Sequence, residues 1–299
     1  MKTHFQCLRS STIKHNAKLL SSVAALACSV SWIVFVGAAI GQTPTAAQNH
    51  LDRGSALAEK GDVDGAISEF RQAVQQNPND VDAHYNLGIA LHSKGDLEGA
   101  ISEFREAVRL KPDFTRAHIN LGNTLDDKGD RDGAIAEYRK ALLLKPDDAD
   151  AHFNLAVTLH RGGDWDGAIS EFQEVLRLNP DNANAHFRLG LVLRQKGDRD
   201  GAIAEYREAL RLKPDFAAAH AGLGLALRQK GDVDGAITED REALRLNPNL
   251  AVAHYNLGDA LEAQGKHREA HGEYRKACQL APNDPDSCPK AKNPAGETK

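Results

Sequence analysis

The sequence predicts an all-α fold in which helix pairs stack into a solenoid. The main observation is a period of 34 residues that covers most of the 299-residue chain. Three residue types recur at this interval. They are Pro78, Pro112, Pro146, Pro180, Pro214, Pro248 and Pro282; Gly61, Gly95, Gly129, Gly163, Gly197, Gly231 and Gly265; and Ala66, Ala100, Ala134, Ala168, Ala202, Ala236 and Ala270. A fixed period of this length is typical of proteins whose repeats each pack on their neighbours.

Each unit is predicted to fold as a helix, a turn and a second helix, as residues 81–114 illustrate. Apolar residues first follow the i, i+4, i+7, i+8 spacing of one helical face, beginning at Ala83. Gly95 ends that helix, because glycine readily adopts the left-handed conformation of a helix C-terminus. A second apolar face runs from Ala100 to Val108 and ends before Pro112. The seven units are 47–80, 81–114, 115–148, 149–182, 183–216, 217–250 and 251–284.

The turn sequence KGDVDGAI, at 60–67 and again at 230–237, contains the Asp-x-Asp-Gly of calcium-binding loops. Such a loop needs an acidic residue at its first position and a glutamate at its twelfth. Those positions hold Lys60 and Arg71 here, so we predict no metal site. Asp62 is instead expected to cap the second helix, with Asp64 favourable at its positive end.

The signature positions of the unit resemble the tetratricopeptide repeat (TPR). They are Leu87, Gly88, Leu91, Gly95, Ala100, Phe104, Ala107 and Pro112, with His84 in place of the usual aromatic residue. The resemblance covers about four-fifths of the chain and implies a right-handed superhelical α-solenoid. It further implies a protein-interaction module without catalysis of its own.

Repeat six departs from the pattern at one buried position. Asp240 replaces the aromatic residue found at Phe70, Phe104, Tyr138, Phe172, Tyr206 and Tyr274. An unpaired buried carboxylate is costly. We therefore predict a weak junction between repeats six and seven, or an Asp240 side chain that reaches solvent or an arginine.

Seven histidines share the fourth position of the repeat. They are His50, His84, His118, His152, His186, His220 and His254. Neighbouring helices lie about 8–10 Å apart, whereas zinc needs its nitrogen ligands at about 2.0–2.1 Å. The stripe is therefore interpreted as structural, and protonation near pH 6.5 is expected to loosen the array in acid.

Other chemistry finds little support in the composition. A formal net charge of −5 and 5% aromatic residues argue against a nucleic-acid surface. The sequence contains no phosphate loop, and no nucleophile or acid–base pair stands apart from the repeat pattern. We predict no enzyme activity, no cofactor, no metal and no small-molecule substrate.

The first 41 residues differ from the repeats. Basic residues precede an uncharged run, Leu19–Gly41, which is long enough to cross a bilayer or to serve as a signal peptide. Serines within the run favour the signal peptide, but both interpretations remain open. Residues 42–46 would form a linker. Either interpretation predicts export, with the repeats periplasmic or membrane-anchored and outside the cytoplasm.

The C-terminal end is predicted to be uncapped. Residues 285–299 carry three prolines and no helical period, which predicts a disordered tail. In an oxidising compartment Cys278 and Cys288 are candidates for a disulfide. An apolar end face around Tyr274 would then either be covered by the tail or pair two chains as a homodimer.

In TPR proteins the first helix of each repeat lines a concave groove, and the resemblance assigns the groove positions here. They are Tyr85, Asn86, Ile89, Asn120, Asn123, Phe153, Asn154, Val157, Phe187, Arg188, Leu191, Arg194, Leu225, Arg228, Tyr255 and Asn256. The three arginines form a basic stretch in repeats five and six, and Asp126 and Asp127 form an acidic stretch in repeat three. Asn123, Asn154 and Arg188 partly match a family clamp for C-terminal carboxylates, but Ile119 and Asn184 stand where the clamp has lysines.

An apolar strip with amide side chains suits an extended peptide, since amides can bond its backbone while aromatic rings contact its side chains. The sequence therefore predicts a scaffold that binds a segment of another exported or envelope protein. The alternative is a structural envelope component that self-associates through its last repeat.

Overall fold

The computed structural model describes residues 45–283 and 287–292, and this part of the chain contains helices and no strand. Fourteen helices form seven antiparallel pairs, which confirms the predicted α-solenoid. The pairs are α1 (Ala46–Glu59) with α2 (Val63–Gln76), α3 (Val81–Lys94) with α4 (Leu97–Leu110), α5 (Thr115–Lys128) with α6 (Arg131–Leu144), α7 (Ala149–Gly162) with α8 (Trp165–Leu178), α9 (Ala183–Lys196) with α10 (Arg199–Leu212), α11 (Ala217–Gln229) with α12 (Val233–Leu246), and α13 (Ala251–Ala263) with α14 (His267–Leu280). A fifteenth helix, α15 (Ser287–Lys292), follows.

The turn inside each pair is built by a glycine and an aspartate. Gly95 has φ +85°, a left-handed conformation that ends α3. Asp62 caps α2 by accepting a hydrogen bond from the Gly65 amide at 2.9 Å. Asp64 pairs with Lys94 of the next repeat at 2.5 Å. Asp62 of the KGDVDGAI turn therefore caps a helix, and Asp64 links two repeats.

The two helices of a pair approach closely because a ring packs on a glycine. A Cβ atom added to Gly88 would lie 2.7 Å from Cε1 of Phe104, so only glycine leaves room for the ring. The same contact joins Gly54 to Phe70 and Gly122 to Tyr138. The rings are buried, and they form the core of each repeat together with the recurring alanines.

The histidine stripe joins three parts of the structure in each repeat. Each of the seven histidines directs Nδ1 to a glutamate Oε2 of its own second helix at 2.5–2.6 Å. In repeats two to seven Nε2 also lies 3.0 Å from the carbonyl oxygen of the preceding Pro. A carboxylate and a carbonyl oxygen only accept hydrogen bonds, whereas a neutral imidazole has a single N–H. Both bonds form together only when the ring is protonated.

His118 shows the electrostatic consequence of this arrangement. Its bond to Glu137 is the largest influence and holds the imidazole pKa above its ordinary value. Burial tends to raise the pKa of Glu137, but hydrogen bonds from His118 and Lys140 outweigh it and the pKa is lowered. Protonation therefore strengthens the repeat at His118. At His118 this is the opposite of the effect expected from the sequence, whereas the expectation that acid loosens the array as a whole stays a prediction.

The C-terminal end differs from its prediction. Residues 287–292 are helical rather than disordered, and this helix, α15, packs on α14. Cys278 and Cys288 form a disulfide that joins the two helices. The prediction of a disordered tail is therefore wrong for residues 287–292, whereas the candidate disulfide and the alternative in which the tail covers the last repeat are confirmed. The covalent bond holds a helix that is too short to be stable alone.

The N-terminal predictions fall mostly outside the described residues. The structure does not describe the predicted signal peptide or anchor at 1–41, which includes the run Leu19–Gly41. Thr45 caps α1, which begins at Ala46 within the predicted linker. Among the described residues, no helix combines the length and the apolar character needed to cross a bilayer.

Candidate functional site

The first helices of the pairs form one continuous face, which we call the inner face. Each first helix contacts the first helix of the next repeat, from α1 with α3 to α11 with α13. The second helices make no comparable contact with one another within the described part of the chain. The array therefore curves with its first helices on the concave side, where the sequence placed the groove.

Aromatic side chains on the inner face are half-buried, and each packs against a second aromatic ring. The ring centroids of Tyr85 and Phe114 lie 4.7 Å apart, and those of Phe153 and Phe172 lie 5.7 Å apart. Two further rings are supported in the same way, Phe187 by Phe216 at 4.8 Å and Tyr255 by Tyr274 at 5.8 Å. Core rings hold these side chains in place, so each presents a rigid apolar surface.

The asparagines of the inner face are largely engaged with neighbouring repeats. Asn120 donates to the Tyr85 hydroxyl at 3.0 Å, and Asn154 donates to Asn123 Oδ1 at 3.0 Å. Asn256 is 2% exposed. Its amide donates to the Ala221 carbonyl oxygen, so its assignment to the groove surface is wrong. Asn86 is half-buried on the same face.

The asparagines that resemble part of a carboxylate clamp are also bonded to neighbouring side chains. Asn123 Oδ1 accepts bonds from both Asn154 and the Tyr138 hydroxyl, at 3.0 and 2.7 Å. These amides therefore hold adjacent repeats together instead of presenting donors to a carboxylate. Arg188 remains half-buried on the inner face, at the position that the resemblance assigned.

The charges of the inner face also pair across repeats. Arg228 Nη2 lies 2.9 Å from Asp259 Oδ2, which neutralises one member of the predicted basic stretch. Arg194 is half-buried, with its Nε atom buried and without a hydrogen-bond partner. The predicted acidic stretch is paired as well, since Asp126 bonds Arg161 at 2.6 Å and Asp127 bonds His92 at 2.8 Å.

Apolar residues provide the most accessible part of the inner face. Ile89 is 39% exposed, while Val157, Leu191 and Leu225 are half-buried. Ile89 borders a pocket of about 150 Å³ between α3 and α5. Its other lining residues are His92, Ser93, Phe104, Asn120, Asn123 and Thr124. A larger pocket of about 740 Å³ lies at the turns of repeats three and four, away from the predicted groove residues.

Asp240 is buried in repeat six, and its side chain reaches neither solvent nor a hydrogen bond with an arginine. The weak junction predicted between repeats six and seven stays a prediction. The Asp240 side chain is 1% exposed, and neither oxygen accepts a well-formed hydrogen bond. Burial raises its pKa to about 8, only partly opposed by the Asn256 amide and the Arg228 charge. The carboxyl is therefore mostly protonated at neutral pH, which avoids a buried charge but costs the free energy of taking up a proton on folding.

Several residues that organise the inner face were missing from the sequence prediction. They are His92, His160, Arg161 and Gln195, which bond one another or the predicted Asp126 and Asp127. Each bond between them spans 35 residues, one more than the repeat period. A search for complementary polar residues at that spacing would have found them.

Comparison with known proteins identifies the family. Residues 14–293 match the family model described as the cilia and flagella-associated protein 70 C-terminal domain, a TPR family. The chain belongs to this family. No curated relative matches the sequence.

Solved structures agree with this assignment. MamA is 30% identical with a TM-score of 0.53, over 55% of this chain and 96% of MamA. PilF of Pseudomonas aeruginosa is 20% identical with a TM-score of 0.61, over 71% of this chain and 97% of PilF. YrrB is 23% identical with a TM-score of 0.52, over 64% of this chain and 98% of YrrB. The family and these neighbours indicate a protein-interaction scaffold, a class that is typically non-catalytic.

Proposed function

We propose that this TPR chain binds an extended segment of another exported or envelope protein along its inner face. The observation that carries the proposal is the row of supported rings at Tyr85, Phe153, Phe187 and Tyr255. Rigid aromatic side chains contribute contact area at a low entropic cost, which suits recognition of a peptide. YrrB, which shares the fold, is described as a TPR protein with an unusual peptide-binding site.

The dimensions of the inner face set the size of the ligand. Seven first helices give six steps of about 8–10 Å each, or roughly 50–60 Å. An extended chain advances about 3.3 Å per residue, so roughly 15–18 residues would follow the whole face. Most inner-face amides are already bonded between repeats, and therefore apolar side chains of the ligand would supply most of the affinity.

Two features support the proposed compartment. A basic and then apolar N-terminal segment is the pattern of an export signal or anchor. The disulfide between Cys278 and Cys288 supports an oxidising environment for the repeats. The ligand would then belong to a protein of that same compartment.

Site-specific photocrosslinking tests the binding face. A benzophenone side chain is introduced at Ile89, which is 39% exposed on the inner face, or at Leu143, which is 82% exposed on the outer helix α6. In an envelope extract we expect a discrete adduct from the first position alone. In the Ile89 crosslinker background, Arg188→Glu should weaken the adduct, whereas the matched charge reversal Arg207→Glu on α10 should not. Equal labelling from both faces would refute the proposal.

A further inference from the structure

The short helix α15 continues the register of the repeats. Cys288 lies 34 residues after His254, and Lys290 lies 34 residues after Asn256. Cys288 Sγ lies 3.3 Å from the carbonyl oxygen of Pro282, and in repeat seven His254 Nε2 lies in the equivalent place, 3.0 Å from the carbonyl oxygen of Pro248. Helix α15 is therefore the beginning of an eighth first helix, with a disulfide where the other repeats have a histidine.

Lys290 of α15 inserts its ammonium group into the inner face of repeat seven. Nζ lies 2.6 Å from Asp259 Oδ1 and 3.7 Å from Glu262 Oε2. It also lies 5.2 Å from the ring centroid of Tyr255 and 4.9 Å from that of Tyr274. Two carboxylates and two aromatic faces are the surroundings that attract a cation.

The charges balance only while a cation occupies this pocket. The side chain of Asp259 is 9% exposed, and it already pairs with Arg228 through its other oxygen. Arg228 and Lys290 together neutralise Asp259 and Glu262. Without Lys290 one negative charge would remain unpaired beside two rings, shared between the nearly buried Asp259 and the partly exposed Glu262. Partial burial makes such an unpaired charge unfavourable.

The disulfide is what keeps α15 on the pocket. The helix has six residues, fewer than an isolated helix needs to be stable. Besides Lys290, it is held by the Cys278–Cys288 bond, by packing of Ala291 on the apolar core, and by His271, whose Nε2 donates to the Ala291 carbonyl oxygen at 2.6 Å. Breaking the disulfide would leave Lys290 attached only through the flexible backbone after α14, which lowers its effective concentration at the pocket and lets another cation compete for its place.

We propose that Tyr255, Asp259, Glu262 and Tyr274 form a lysine-binding pocket in which Lys290 is the resident ligand. A lysine side chain of a partner polypeptide takes the same place once a dithiol has opened the disulfide. The dithiol supplies two electrons and two protons, so that Cys278 and Cys288 become thiols while the reductant becomes a cyclic disulfide. This inference depends on the proposed function only for the partner being a polypeptide.

The test uses the full chain and the protein's own tail as the probe. The protein carries Lys290→Ala and Cys288→Ser, and circular dichroism verifies that it is folded. The probe is a fluorescent peptide of residues 285–292 with Cys288→Ser, and the matched peptide carries Lys290→Met in addition. Fluorescence anisotropy should show binding of the lysine peptide at least about tenfold tighter than that of the matched peptide, since a hydrogen bond to a charged group is worth about that factor.

Three further results are expected from the same assay. Glu262→Gln in the same protein should weaken the lysine peptide. The oxidised natural protein should bind the peptide at least about tenfold more weakly than the variant does, because Lys290 occupies the pocket. Dithiothreitol breaks the Cys278–Cys288 disulfide of the natural protein and should therefore strengthen its binding of the lysine peptide. It should not change the affinity of the variant, which lacks this disulfide. Equal affinity for the two peptides, or no binding of either, would overturn the inference without bearing on the crosslinking test of the inner face.

Discussion

Replacing Asp240 with phenylalanine is predicted to stabilise the protein. The other six repeats carry a ring at this position, and in repeat two the Phe104 ring packs on Gly88. Repeat six keeps the corresponding glycine, since a Cβ on Gly224 would lie 2.7 Å from Asp240 Oδ1. The backbone is therefore already shaped for a ring, and Asp240→Phe would fill the site that the carboxyl now occupies.

The expected gain has an electrostatic part and an apolar part. Asp240 ionises near 3.8 in an unfolded chain, but its folded pKa is about 8. Folding therefore takes up a proton between those values, and stability falls as pH rises through that window. At about 1.4 kcal/mol per pKa unit, the carboxyl costs roughly 4 kcal/mol at pH 7 compared with a group that does not titrate. Burial of the ring adds about 1.5–3 kcal/mol.

Urea unfolding at pH 4.5, 6 and 7.5 separates the two parts. Asp240→Asn removes the titration while keeping the size, so its advantage over the natural protein should grow with pH. Asp240→Phe should add a gain that does not depend on pH. Other titrating groups, including the histidine stripe, are common to all three proteins and cancel in the differences. In Asp240→Phe, amide hydrogen exchange should also be slower than in the natural protein in α11, α12 and α13, on both sides of the predicted weak junction.

Parallel curves of stability against pH for the natural protein and Asp240→Asn would refute this reasoning. They would mean that the carboxyl ionises in the folded state near its ordinary pKa. A loss of stability in Asp240→Phe at every pH would contradict the packing argument alone.

Three further changes test the local structure. Gly95→Ala should cost about 1–2 kcal/mol through backbone strain at φ +85°, as measured by urea unfolding. Tyr138→Phe removes the 2.7 Å bond to Asn123 Oδ1 and should cost about 0.5–1.5 kcal/mol; no change in the midpoint would disprove that bond. His118→Gln should destabilise most below pH 6.5, with a deficit that shrinks as pH rises through the folded pKa; a deficit that grows with pH would contradict it.

The period and the apolar faces predicted the helix pairs because both are properties of sequence spacing. Glycine and aspartate marked the turns, and their roles at Gly95 and Asp62 follow from backbone geometry alone. The same spacing placed the inner-face aromatics correctly, since Tyr85 and Phe153 lie where the repeat position puts them. What spacing could not supply was the partner of each polar side chain.

The C-terminal end shows how a period can be read too narrowly. The sequence predicts that the repeats end at residue 284, because prolines and the loss of apolar periodicity indicate a tail. Yet Cys288 and Lys290 keep the 34-residue register, and Pro289 lies in the first turn of α15, where proline is tolerated. The positions were visible, but the disulfide that makes so short a helix stable depends on three-dimensional proximity.

The histidine stripe shows why the direction of a pH effect needs coordinates. From the sequence, protonation of the half-buried histidines near pH 6.5 is expected to loosen the array, and burial by itself disfavours the charged ring. In the structure, His118 faces Glu137 through Nδ1 and the Pro112 carbonyl oxygen through Nε2, so both ring nitrogens meet acceptors. The charged ring satisfies both bonds and the neutral ring only one, which outweighs the desolvation and raises the pKa.

A raised pKa gives stability that is complete below about pH 6.5 and is lost as pH rises through the folded pKa. The contribution of His118 therefore favours mildly acidic conditions, down to the pH at which Glu137 itself gains a proton.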